Sequence, residues 1–168
     1  IAKIKAMDHR SWRTRTIDIS YPAGTESSGL TGALDRIVQE ARGAVANGDS
    51  IIVLSDRAIG PDRNAVSALM AVGTVHHALT RDHTRTRIGL IVESGEPREV
   101  HHFCTLVGYG ADAVNPYPAH EAIWQLSRDG QLVGGATDEE LVTAYHKALA
   151  KGMRKVFGKM GISTLDSY

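Results

Sequence analysis

Residues 87–117 constrain this chain most, because they read as strand, polar turn, helix, glycine stop and strand. Gly89 to Val92 is a short apolar run of the kind that a parallel strand covered on both faces uses. Glu93-Ser94-Gly95 interrupts it. Val100, Phe103, Cys104 and Val107 then recur at the i, i+3, i+4, i+7 spacing of one helix face. Gly108 and Gly110 supply the permissive backbone that a helix end needs. Ala111 to Val114 starts the next strand, and Asn115-Pro116 ends it. A unit this compact wants a parallel strand pair joined by a right-handed crossover.

The same alternation runs along the chain. Thr16 to Ile19 alternates and predicts a first strand, and the all-apolar Ile51 to Leu54 predicts a second. Between them Leu30, Leu34, Ile37, Val38, Ala41 and Val45 follow a helical template, with Ser27 or Ser28 as cap and Gly48 as stop. Ser55 to Asn64 reads as a long polar loop, and residues 67–80 as a helix. His120 to Leu126 predicts a short helix, followed by a turn-rich insert at Asp129-Gly130 and Gly134-Gly135. Thr137 and Glu140 have capping-box spacing. Leu141, Tyr145, Ala148, Leu149, Gly152 and Val156 form the expected buried stripe of a final long helix, and Ile162 to Leu165 is expected to begin a fifth strand. The fold class is therefore α/β, a parallel sheet with alternating helices, either open and doubly wound or part of a barrel.

Composition narrows the function classes. The 168 residues suffice for one domain with a sizeable core, and residues 1–168 are expected to form a single α/β domain. Lys+Arg and Asp+Glu are 19 each, so charge gives no reason to expect nucleic acid or an anionic membrane as a partner. No apolar run approaches the roughly 20 residues of a membrane span, and a cytoplasmic location is expected. The start at Ile1 rather than Met, and a fifth strand with no helix to cover it, suggest a segment cut from something longer. Cys104, the one cysteine, rules out an internal disulfide and a multi-cysteine metal site, and its helix face favours a buried small hydrophobe.

In parallel α/β folds, ligands bind beyond the carboxyl ends of the strands. Those ends carry Ser55-Asp56-Arg57, Glu93-Ser94-Gly95-Glu96 and Asn115-Pro116-Tyr117. On the helix template Glu96 shares a face with Val100 and Phe103 and should lean over the sheet edge. One reading makes it a functional carboxylate. The other is a loop network in which Asp56, Glu93 and Glu96 pair with Arg57 and Arg98 and cap helix ends. His76-His77 and His101-His102 are adjacent pairs about 100° apart on a helix, so neither chelates one metal as an i, i+4 pair does; structural roles are expected. Gly108-Tyr109-Gly110 follows a helix and precedes a strand, the reverse of a dinucleotide fingerprint. No catalytic set is complete.

Longer blocks say more. Ile51 to Arg57, Ala68 to His77, Val92 to Phe103, Gly108 to Tyr117 and Lys159 to Thr164 resemble, in order, the large subunit of glutamate synthase. The resemblance covers about Asp35 to Tyr168 and fits only the central domain of that modular enzyme. It implies neighbours on the same polypeptide: an amidotransferase domain that releases ammonia from glutamine, and an FMN-binding barrel with an iron–sulfur cluster that forms glutamate from 2-oxoglutarate. It also implies an electron-donating subunit or ferredoxin as a partner. No cofactor is expected in this segment. Residue 1 is Ile, not the family's nucleophilic cysteine, and Cys104 alone cannot hold a three-cysteine cluster. The expected role is structural and coupling, with Asp56, Arg57, Glu93, Ser94, Glu96, Asn115 and Tyr117 as domain-interface candidates that could wall part of an ammonia path. An autonomous α/β small-molecule-binding module or enzyme using the same loops is the alternative, and an architectural spacer with no coupling role a third reading.

Overall fold

The structure, a computed structural model, describes residues 1–9, 12–132 and 135–168. In chain order the elements are α1 (Ala2–Lys5), β1 (Asp8–His9), β2 (Trp12–Asp18), β3 (Ser20–Pro22), α2 (Glu26–Ala46), β4 (Ile51–Ser55) and β5 (Arg63–Ala65). They continue with α3 (Ala68–Arg81), β6 (Gly89–Glu93), α4 (Val100–Gly108), β7 (Ala113–Asn115), α5 (Tyr117–Arg128) and α6 (Asp138–Lys159). β2, β4, β6 and β7 lie side by side as a parallel sheet, with β1 antiparallel on the β2 edge. This is the α/β class that the apolar runs predicted. The parallel strands follow chain order without the reversal that marks a switch point.

Register gives the two sheet faces different chemistry. Ile17, Leu54 and Val92 are neighbours across β2, β4 and β6, and Ile52 sits beside Leu90. These side chains share one apolar cluster with Ile37 and Ala41 of α2 and Val72 and Val75 of α3. Fully burying each such aliphatic side chain is worth about 1.5–3 kcal/mol, so this layer dominates the stability. Residues one step along each strand point the other way. On that face Asp18, Ser55, Glu93 and Asn115 pair in register as a polar row at the carboxyl ends. The repeating unit thus delivers polar groups from separate strands to one edge.

Several expectations need correction. Ser55 to Asn64 is not all loop: Ser55 ends β4, and Arg63–Ala65 pairs antiparallel with Ser20–Pro22 as a small separate sheet. Arg63 explains the pairing, because its guanidinium reaches Asp18 Oδ2 at 2.9 Å and Ser20 Oγ at 2.8 Å. The first strand starts earlier, at Trp12. α2 starts at Glu26 with Thr25 as N-cap, so neither Ser27 nor Ser28 caps it. α5 is longer than His120 to Leu126. Ile162 to Leu165 is not a strand; Leu165–Ser167 is a 3-10 turn, and Tyr168 folds back to stack on Phe157 at 4.5 Å between ring centroids. Of the stripe expected along α6 only Leu149 is buried, and Ala148 is exposed. The capping box holds: Glu140 N donates to Thr137 Oγ1 at 3.3 Å, and Thr137 N donates to Glu140 Oε2 at 2.8 Å. The Gly134 half of the turn-rich insert lies outside the described residues.

α6 is held against α4 where it carries no side chain. A Cβ on Gly152 would lie 3.0 Å from Val100 Cγ1 and 3.2 Å from Val100 Cβ, and nearer still to Cγ2. Gly152→Val is therefore expected to lower the unfolding free energy by about 1–3 kcal/mol. Chemical denaturation checks this, and an unchanged midpoint would show that the helices are not in close contact there.

Candidate functional site

Glu93 is the centre of the polar row. It ends the all-apolar β6 and is fully buried. Its Oε2 accepts from Ser55 Oγ at 2.6 Å and is ion-paired with Lys5 of α1. Its Oε1 accepts from Arg57 Nε at 2.9 Å and from Asn115 Nδ2 at 3.4 Å. A buried carboxylate is stable only with such partners. Burial pushes its pKa up, but hydrogen bonds from Lys5, Ser55 and Arg57 outweigh that and hold it at about 2.

A second carboxylate organises the neighbouring turn. Asp56 Oδ2 accepts from Ser94 Oγ at 2.6 Å and from Gly95 N at 2.8 Å, fastening the loop after β4 to the turn after β6. Burial raises the Tyr117 hydroxyl, and the Asp56 carboxylate beside it raises it further, to about 12. The Arg57 guanidinium lies 3.8 Å above the Tyr117 ring and 3.8 Å from Glu121. All these groups are tied to one another: the Ser55 and Ser94 hydroxyls donate to Glu93 and Asp56, carboxylates that other donors already engage.

Glu96 sits elsewhere than the helix template placed it. α4 begins at Val100, and Glu96 lies in the turn before it. Its Oε2 accepts from Ala68 N at 3.0 Å and from Ser67 Oγ at 3.2 Å, so it caps the start of α3 across the sheet edge. Among the described residues Arg98 makes no ion pair with Asp56, Glu93 or Glu96; its carbonyl accepts instead from Tyr145 OH of α6 at 2.8 Å. The structure thus brings Asp56, Arg57, Glu93, Ser94, Asn115 and Tyr117 together and puts Glu96 at the flank.

The paired histidines separate into different roles. His76 Nδ1 accepts from Arg85 Nε at 3.2 Å, and His102 Nδ1 accepts from Arg98 N at 3.1 Å as part of the α4 cap. Among the described residues no three of His, Cys, Asp and Glu are grouped to hold a metal. Cys104 is buried, and burial raises its thiol pKa.

Sequence reasoning missed two features. Lys5 reaches Glu93 across 88 positions of chain, and no local spacing announces that. His120 and His146 meet Nε2 to Nε2 at 2.9 Å between α5 and α6, a pairing that only the helix packing creates.

The Glu93 network makes folding depend on pH. Its folded pKa is depressed from 4.5 to about 2, so its contribution is complete above about 4.5 and is lost as pH falls through about 2. That contribution is on the order of 3 kcal/mol. Glu93→Gln keeps the shape and removes the charge, leaving Lys5 and Arg57 without their carboxylate. Urea unfolding should show a loss of a few kcal/mol at pH 7 and a smaller loss near pH 2.5. An equal loss at both pH values would mean that the carboxylate charge is not what the network holds.

Comparison with known proteins agrees with the resemblance carried by the longer sequence blocks. The family model described as the glutamate synthase central domain matches residues 1–168. The NADH glutamate synthase of Schizosaccharomyces pombe is 45% identical over 157 residues, which cover 94% of this chain and 7% of that protein. The large chain of the NADPH glutamate synthase of Bacillus subtilis is 39% identical over 165 residues, covering 98% of this chain and 10% of its own length. The chloroplastic ferredoxin-dependent glutamate synthase of Oryza sativa subsp. japonica is 37% identical over 155 residues, covering 83% of this chain and 10% of that protein. The chain spans a small fraction of the length of these relatives, and it belongs to the glutamate synthase central domain family.

Proposed function

We propose that residues 1–168 form one unit that works as a structural and coupling domain inside a longer glutamate synthase polypeptide. Its strand-end edge contacts the neighbouring domains that release ammonia from glutamine and form glutamate from 2-oxoglutarate. The observation that carries this reading is Arg57. Its side chain is 45% exposed, yet Glu93 fixes its inner side and Tyr117 lies under its face. A guanidinium already ordered at a protein edge loses little entropy on meeting a partner, which is why arginine often anchors interfaces. Asp56, Glu93, Ser94, Asn115 and Tyr117 hold that arginine and its loop, and Glu96 holds the adjoining α3 terminus.

FMN and an iron–sulfur cluster, which the family implies for the longer polypeptide, do not fit the residues of this chain. Its single cysteine is buried on α4, and the arginines near the strand ends already pair with carboxylates, Arg57 with Glu93 and Arg63 with Asp18. Both groups belong to a neighbour in this reading, as does the contact with an electron-donating subunit or ferredoxin. In this reading the enzyme works in the cytoplasm. No described helix is long and apolar enough to cross a membrane.

Two substitutions in the longer polypeptide test the coupling role. Arg57→Gln removes the edge charge. Glu96→Gln keeps an acceptor for Ala68 N while removing the charge at the α3 terminus. Glutamine-dependent glutamate synthesis is expected to fall severalfold, while ammonia-dependent synthesis, which bypasses the transfer, holds. The ratio of the two activities measures the coupling free energy. An unchanged ratio in both variants, or an equal fall in both activities with a lower melting temperature, reduces these loops to fold stabilisers.

A further inference from the structure

The face of the sheet turned away from the α2–α3 core is only part covered. Val53 and Ile91 are buried on it, yet neither belongs to the apolar cluster under the helices. At its carboxyl end α1 closes over Glu93 through Lys5. Toward the amino ends of the strands the cover stops. There a cavity of about 550 Å³ opens, lined among others by Trp12, Ile51, Gly89, Ile91, Ala113 and Arg87. Trp12 stands at its rim with 54% of its surface exposed. Parallel sheets are almost always covered on both faces, because strands this apolar lose burial otherwise. Arg87, on the cavity wall, has no ion pair among the described residues, whereas the one carboxylate on that wall, Asp112, is already paired with Arg85 at 2.8 Å.

We propose that this half-covered face docks an apolar segment of the same longer polypeptide, one that carries an acidic side chain to meet Arg87. The proposal rests on the reading of the chain as a central domain, and the lengths of the relatives supply the source. The matched regions are 7% to 10% of those proteins, so nearly all of such a polypeptide lies outside these residues. The apolar floor calls for aliphatic side chains, the flat indole at the rim for a broad contact, and the free guanidinium for a carboxylate. The surface lies at the end of the strands opposite the Arg57 edge, so it is a separate contact.

Hydroxyl-radical footprinting of the full-length polypeptide, read by mass spectrometry at Trp12, tests it. Trp12 should be oxidised severalfold more slowly than an indole with half its surface free. Arg87→Glu should restore most of the reactivity by placing two carboxylates together, and the milder Arg87→Gln should restore part of it. Wild-type Trp12 reacting as a half-exposed indole overturns the proposal. Protection that disappears on dilution assigns the face to a second copy and overturns it as well. Protection that neither variant changes overturns the acidic character of the segment. The footprint is independent of the activity ratio, so this interface and the coupling edge can fail separately.

Discussion

A fully buried carboxylate, Glu93, is the interaction on which the strand-end architecture depends. Left alone in an apolar interior, its charge would be expelled by protonation or by unfolding. The chain instead brings Lys5 from α1, Ser55 from β4, Arg57 from the following loop and Asn115 from β7 to the same two oxygens. Four separate segments are therefore placed by one group. Such a network is strong only while complete, since removing one partner leaves a buried charge unmatched. The half-exposed Lys5 and Arg57 connect this inner charge to the surface, so a contact at the edge bears directly on the network.

The order of the strands explains why the polar groups collect there. Parallel strands in register align residues of equal parity, so the last positions of β2, β4, β6 and β7 on the face away from α2 and α3 form one row. The helix-facing positions are aliphatic and fill the core with α2 and α3. The two faces thus divide the work: one holds the fold together, and the other presents chemistry at its carboxyl end and apolar surface at its amino end. Glu96 belongs to the same logic. Instead of joining a catalytic set, it satisfies the first amide of α3, that of Ala68, where Ser67 makes no side-chain cap.

Much of this was legible in the chain itself. The apolar runs at Ile51 and Gly89, the helix templates between them and the stop at Gly48 follow from local burial periodicity and from backbone freedom, with φ of +76° at that glycine. The candidate edge residues were legible too, because a parallel α/β fold gathers whatever follows each strand. Local rules failed where a distant group overrode them. The segment after Gly161 is β-branched and apolar, yet Tyr168 packs on Phe157 and turns it back. Residues 63–65 look like loop, yet Arg63 draws them onto Asp18 and Ser20.

The sequence by itself determined the alternation of strands and helices, the apolar core and the polar character of the strand ends, since these depend on side-chain type and spacing within a few residues. Only the tertiary structure decided the partners. Lys5 on Glu93, Glu96 on Ala68, and His120 on His146 join residues 88, 28 and 26 positions apart. Such pairs form because folding removes water and leaves each buried charge or donor to the nearest complement, and which complement is nearest is a property of packing, not of spacing along the chain.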